Sequence, residues 1–257
     1  MKVEPPPQAG LPILTYHTFD TSGAITSTDP SRFVDTMARL VAEGFRCVSL
    51  LDWTRQGRPA LEKAFALAFD DGDASILRVI DAFPSLGLTA TLFVVTDHVG
   101  GANDWLGQPR WVPRSTLLDW SDLDALVKQG LTVGSHTKSH PDLSRLDRRT
   151  LASELADSRR TVEDRLGVAC DSLVYPYGRE NAKVCRIGAE TYQYAYGTRL
   201  ATAASDDPPH ELPRVDAYYL RSGRLTERLI EGDAERWLRW RNRLRTARAV
   251  SPWGRIR

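Results

Sequence analysis

Cysteine is sparse in this 257-residue chain: Cys47, Cys170 and Cys185 stand far apart and show no metal-type spacing. Neither a disulfide framework nor a cysteine-built zinc site is encoded, and three small core residues in a reducing compartment are the simplest reading. Long apolar runs are missing too. No stretch reaches the length of a membrane span. The amino terminus, Met1-Lys2-Val3-Glu4-Pro5-Pro6-Pro7, has no apolar segment of the kind a signal peptide needs. A cytoplasmic protein is expected. Net charge is nearly absent, with Lys+Arg 34 against Asp+Glu 33, so global charge selects neither nucleic acid nor an acidic polymer as partner. Internal repeats and domain linkers are also lacking, which predicts one domain over residues 1–257.

What the chain does have is alternation, and at 42% hydrophobic it can bury a sizeable core. A Pro-rich extended arm over residues 1–10 leads into a first strand, residues 11–16. Residues 18–30, rich in Thr, Ser, Asp and Gly, read as loop. Ser31 is the expected N-cap of a helix carrying Phe33, Met37, Leu40 and Val41, stopped by Gly44. Residues 45–51 read as a second strand, and a third ends at Asp70-Asp71. Ile76, Leu77, Ile80 and Phe83 mark a helix closed by Pro84 and Gly87, and residues 89–96 a β-branched strand. Residues 97–117 form a long loop, which in a compact domain is more often a functional lid than idle. Helices at 122–128, 151–166 and 181–190 alternate with strands at 131–134, 172–175 and 194–197, before a last segment at 212–219. About seven βα units in roughly 220 residues predict an α/β fold, a short or incompletely closed barrel rather than the regular eight-fold one of roughly 250 residues.

The sharpest local signal is Ala66-Leu67-Ala68-Phe69-Asp70-Asp71-Gly72. An apolar run that stops at two carboxylates and a glycine is how a strand buried on both faces looks when its carboxyl end opens into a site. A surface hairpin turn is the bland alternative. Three further strand ends carry useful groups: His17, His136 with His140, and Tyr177. Convergence of such residues at the carboxyl ends of strands is what a barrel active site requires. His136 and His140 stand four apart with Pro141 behind them, so a loop or turn brings both imidazoles to one cation. One carboxylate and two imidazoles bind a divalent transition metal and leave positions open for water and substrate. Zinc is the default for that set, with nickel, cobalt or iron as alternatives. Adjacent Asp residues on extended chain point to opposite sides, so a division of labour is expected, one gripping the metal and the other taking a proton from its water.

With these residues in hand, the chain resembles the polysaccharide deacetylases, the NodB-homology carbohydrate esterases. The resemblance rests on Leu67-Ala68-Phe69-Asp70-Asp71-Gly72, Ser135-His136-Thr137-Lys138-Ser139-His140-Pro141 and Val174-Tyr175-Pro176-Tyr177-Gly178. Flanking matches are Leu14-Thr15-Tyr16-His17, Gly44-Phe45, Ala90-Thr91-Leu92-Phe93-Val94 and Leu166-Gly167, and together they cover residues 11–220. The resemblance implies a distorted, incomplete (β/α) barrel and removal of N-acetyl groups from an N-acetylated sugar. It implies Asp70 as general base, Asp71, His136 and His140 as metal ligands, and the Tyr177 backbone N–H as an oxyanion donor.

Two departures stand out. Many members place an arginine two residues before the proline of the third motif, where this chain has Val174. Many also carry a late histidine as general acid, whereas here the only histidine after residue 178 is His210, outside any such motif. The branch resembling poly-N-acetylglucosamine deacetylases has an early Tyr-His instead, and Tyr16-His17 matches it, making His17 the candidate acid. Arg214 is a candidate replacement for the missing arginine, and Asp216 a candidate orienting group. Trp105 and Trp111 in the long loop either stack on a sugar ring or pack the loop.

From Arg236 onward the chain carries eight arginines and no acid, interleaved with Trp237, Leu238, Trp240, Leu244 and Val250. Residues 221–257 therefore read as a basic helical extension, either packed on the barrel with a solvated Arg face or making peripheral contact with an anionic membrane surface. Nucleic acid is disfavoured because no recognition motif accompanies the charge. Besides N-deacetylation, the same water attack would serve a deformylase, an amidase or an O-deacetylase. An inactive glycan-binding descendant is the reading from a different class.

Overall fold

A computed structural model describes residues 10–250, with the side chains of residues 10–245. The Pro-rich arm up to residue 9, the side chain of Arg248, and Arg255 and Arg257 lie outside what is described. Ten short strands are present among these residues: β1 (Ile13–Tyr16), β2 (Thr18–Phe19), β3 (Ser27–Thr28), β4 (Arg46–Cys47), β5 (Ala64–Phe69), β6 (Thr91–Val94), β7 (Thr132–Ser135), β8 (Ser172–Val174), β9 (Tyr194–Tyr196) and β10 (Val215–Asp216). The main sheet runs β10-β1-β5-β6-β7-β8-β9, with β4 added to β5, and every pairing is parallel. Between its two edges, Leu212 makes a single bridge to Tyr196 just before β10 pairs with β1. The sheet curls towards closure but is never sealed by a ladder, giving a distorted, incomplete (β/α) barrel.

The helices are α1 (Pro30–Ala42), α2 (Leu50–Arg55), α3 (Phe83–Leu86), α4 (Trp120–Lys128), α5 (Arg148–Leu166), α6 (Ala182–Thr191), α7 (Arg224–Ile230) and α8 (Ala234–Val250). Side-chain caps begin the longer barrel helices. Asp29, not Ser31, caps α1, with Pro30 in its first turn. Asp119 and Asp122 form a capping box on α4, Asp147 caps α5 and Asn181 caps α6. Gly167 ends α5 in a left-handed conformation that costs a glycine nothing.

Several expectations need correction. Residues 45–51 are not one strand: pairing with β5 lasts for β4 only, and Ser49 then caps α2. The helix expected at 76–83 is broken into two 3-10 turns, Ala74–Arg78 and Ile80–Ala82, before α3, so the apolar periodicity there marks burial without a continuous helix. Residues 18–30 contain the β2–β3 pair, and the segment at 212–219 is strand only at β10 before a 3-10 turn.

β5 explains how the barrel is filled. All six residues are buried, and they alternate in size as Ala64-Phe65-Ala66-Leu67-Ala68-Phe69. Phe65, Leu67 and Phe69 join the cluster that includes Phe33, Met37 and Leu40 of α1. Ala64, Ala66 and Ala68 face Ile13, Phe93, Val174, Tyr196 and Leu212 inside the barrel. Because strand side chains alternate with period two, large residues serve the helix layer and alanines the narrow lumen. Gly134 obeys the same constraint: a Cβ there would lie 2.5 Å from the Phe93 ring. Continuing the parity past β5 and β7 turns Asp70 and His136 towards the carboxyl end of the lumen.

Candidate active site

The constellation forms where the strands surface. Asp70 is 3% exposed, and its amide donates to the Tyr16 carbonyl at 2.9 Å, prolonging the β1–β5 ladder. Arg214, itself buried, grips both carboxylate oxygens: Nη1 to Oδ1 at 2.7 Å and Nη2 to Oδ2 at 2.9 Å. Its Nε donates to the Gly197 carbonyl at 3.2 Å. Burial alone would raise the Asp70 pKa, but the Arg214 charge and hydrogen bonds, with nearby histidines, bring it below the ordinary carboxylate value. The residue thus stands ionised and aimed. Val174, at the position where an arginine was missed, is fully buried among lumen side chains, and Arg214 arrives from β10's side instead.

Asp71 departs from the extended chain that the opposite-sides argument assumed: its φ is +69°. The separation of the two carboxylates therefore comes from a left-handed residue at the strand exit, not from pleat alternation. Asp71 Oδ1 lies 3.4 Å from His136 Nε2 and 3.7 Å from His140 Nε2, and the two imidazole nitrogens are 3.2 Å apart. One donor atom from each of the three falls within 4.8 Å of the others. His136 Nδ1 meets the Val174 carbonyl at 3.0 Å, which fixes the tautomer that leaves Nε2 free. Burial, followed by the neighbouring His136 charge, pushes the His140 pKa down to about 3, so this imidazole is neutral, as a ligand must be. Burial would raise the Asp71 pKa, but the His136 hydrogen bond, with His140 and His17 close by, holds it well below normal. Two buried histidines and the partly buried Asp71 carboxylate, converging on one point, fit a divalent metal.

The loop between the histidines is built for this. Thr137 and His140 have φ of +70° and +60°, and Tyr177 +58°, so four of the six described non-glycine residues with positive φ belong to the site, Asp71 included. Such conformations cost about 1–3 kcal/mol each and persist only where surrounding structure enforces them. Here Ser135 Oγ accepts from the Thr137 amide, Thr137 Oγ1 from the His140 amide, and Glu154 of α5 from the amides of Lys138 and Ser139. Glu154 was missed in the sequence, where it is one more acid on a charged helix face. Trp105 is buried with its ring 4.3 Å from that of His140, and it lines the cavity. Trp111 is 63% exposed at the cavity rim.

His17 Nε2 lies 3.8 Å from Asp70 Oδ2. Burial would lower its pKa, but the Asp70, Asp71 and Asp216 carboxylates outweigh burial and raise it above the usual 6.5. Asp216 itself caps the following turn by accepting from the Tyr218 amide. In the turn Pro176–Gly178, the Gly178 and Arg179 amides are bonded to the carbonyls of Tyr175 and Pro176, bonds that do not use the Tyr177 N–H. The Tyr177 ring lies edge-on to His140 at 4.6 Å. His210 is elsewhere, bonded to the Tyr192 carbonyl. His17, Asp70, Asp71, His136, His140 and Tyr177 open on one cavity of about 300 Å³, together with Arg214 and Asp216.

A family model described as polysaccharide deacetylase matches residues 57–196. This chain belongs to the polysaccharide deacetylase family. It is 27% identical over 223 residues to YxkH of Bacillus subtilis (strain 168), covering 84% of this chain and 73% of that one. It is 27% identical over 139 residues to the peptidoglycan-N-acetylglucosamine deacetylase PgdA of Listeria monocytogenes, covering 53% of this chain and only 26% of PgdA. The fold matches Streptococcus pyogenes deacetylase PplD, solved in complex with acetate, with TM-score 0.70 over 81% of this chain and 92% of that one at 22% identity.

The basic extension is helical through α7 and α8. Leu238 of α8 is fully buried and Ala234 nearly so, with Trp237 packed against the core, so α8 docks on the barrel. None of the described helices is long and apolar enough to cross a membrane.

Proposed function

We propose that this deacetylase is a metal-dependent hydrolase that removes N-acetyl groups from an N-acetylated carbohydrate. The observation that carries the reading is the pairing of a three-donor set, Asp71, His136 and His140, with the Arg214-locked Asp70 in one cavity. The relative named for peptidoglycan N-acetylglucosamine supports the substrate class. A bound metal, zinc by default and otherwise nickel, cobalt or iron, would supply a Lewis acid that polarises the acyl carbonyl and acidifies water. Asp70 accepts the proton of the attacking water, with Arg214 holding it ionised and in register. The Tyr177 N–H donates to the oxyanion that develops on the acyl oxygen. His17 donates a proton to the departing amine nitrogen, which is otherwise a poor leaving group.

Acetate release from N-acetylglucosamine oligomers is the direct test. Activity is expected to vanish on chelation and return with a stoichiometric divalent metal. Metal binding without release from any N-acetyl, N-formyl or O-acetyl substrate would point to glycan binding without hydrolysis.

His17 gives the pH dependence its sign. Its proton is needed, and its pKa is raised, so the rate is expected to hold past pH 6.5 and fall as pH rises through the shifted value. His17→Gln is expected to lower kcat about 10²–10⁴-fold and to remove that alkaline limb. An unchanged limb in the variant would assign the acid elsewhere.

A further inference from the structure

The charged groups of the cavity are nearly all committed to one another. Arg214 holds Asp70, the two imidazoles face Asp71, and Asp216 caps its own turn. Arg245 is different. It comes from the far part of α8, lines the cavity wall, and donates from Nη2 to the Thr198 carbonyl at 2.6 Å and to Asn242 Oδ1 at 3.3 Å. Among the described residues it makes no ion pair, and its Nη1 and Nε donors make no hydrogen bond. Its anchor is placed against the catalytic turn. A Cβ on Gly178 would lie 2.2 Å from Thr198 Oγ1, so Thr198 packs directly on the turn that presents Tyr177.

Arg241 lies one turn earlier on the same face of α8. Its guanidinium sits over the rings of Tyr219, Trp237 and Trp240 at 5.7, 5.6 and 5.9 Å, and it too has no carboxylate partner among the described residues. Tyr219 in turn lines the cavity. Two cations at i and i+4 repel each other, and here no acid of the helix stands between them. A guanidinium fixed by backbone contact, with donors to spare, matches the planar fork that carboxylate and phosphate groups accept.

We propose that Arg245, supported by the charge of Arg241, forms an anion subsite beside the deacetylation centre. It takes a carboxylate or phosphate carried by the carbohydrate on a position other than the N-acetyl group being removed. The proposal rests on the deacetylase reading and names a feature of its substrate. It also accounts for a helix that docks through Leu238 and then brings Arg245 to the cavity wall.

Calorimetric titration of the metal-loaded full chain tests it with three probes: di-N-acetylchitobiose, its 1-phosphate, and the disaccharide of N-acetylglucosamine and N-acetylmuramic acid. At least one anionic probe is expected to bind roughly tenfold or more tightly than the neutral one, the scale of a charge-assisted contact. Which of the two gains identifies phosphate or carboxylate as the source. Arg245→Ala should abolish the preference and leave neutral-probe affinity unchanged, Arg245→Lys should keep part of it, and Arg236→Ala, on the same helix but bonded to Asp233, should keep all of it. Equal affinity for all three probes, or a preference that survives in Arg245→Ala, overturns the subsite. Absence of acetate release with the anionic preference intact would instead overturn the hydrolase reading and leave the subsite standing.

Discussion

Asp70→Asn is expected to lower the rate of acetate release about 10²–10⁴-fold, the usual weight of a positioned general base. The substitution keeps the shape of the side chain and removes its ability to take a proton. Metal content should not change, because the donor atoms belong to Asp71, His136 and His140. That split is the diagnostic. Full metal loading with lost turnover assigns Asp70 to proton transfer, whereas lost metal would assign it to binding. The amide also leaves Arg214 opposite a neutral group, so the melting temperature should fall and must be recorded beside the rate. Wild-type turnover in Asp70→Asn would overturn the base assignment.

Arg214→Ala should act on stability and activity together. Asp70 and Arg214 are 3% and 5% exposed, and their bidentate contact is the main reason an ionised carboxylate is tolerable there. Removing one partner of such a pair costs about 3–5 kcal/mol, because the other is left charged and unsolvated. For a chain of this size that corresponds to a fall in Tm of roughly 6–20 °C. The pH dependence should also change sign. In the wild type the folded pKa of Asp70 is depressed, so its contribution to stability is present above the unfolded value of 3.8 and fades as pH falls through the folded value. Without Arg214 burial dominates, the folded pKa rises above 3.8, and the variant loses further stability as pH climbs through the raised value. The Tm gap between variant and wild type should therefore widen with pH and narrow in acid. Arg214→Lys retains the charge but not the two-point grip, so it should recover most of the stability and less of the turnover. A gap that does not change with pH would mean that Asp70 finds another counter-charge.

The depth at which each residue could be read differs in an instructive way. Asp70, Asp71, His136 and His140 were legible because strand-end position and local spacing are properties of short stretches. The fold class was legible for the same reason, since each βα unit repeats its own pattern. The second strand and the helix at 76–83 were misread because apolar periodicity reports burial, and short pieces are then shaped by whichever neighbour they meet. The separation of the Asp70 and Asp71 carboxylates was expected on the wrong ground. It follows from a left-handed φ at Asp71, enforced by surrounding structure, and not from the pleat.

The sequence alone determined the α/β class, the strand ends that carry chemistry, the three-donor set and the basic character of the last helix. Each of these is encoded within a few residues of itself. Only the tertiary structure decided that Arg214 grips Asp70 from 144 residues away, that Glu154 holds the histidine loop, and that α8 returns Arg245 to the cavity. Those contacts depend on how a nearly closed sheet sets β10, β1 and β5 side by side and how the helices fold back on it, a geometry that no local pattern records.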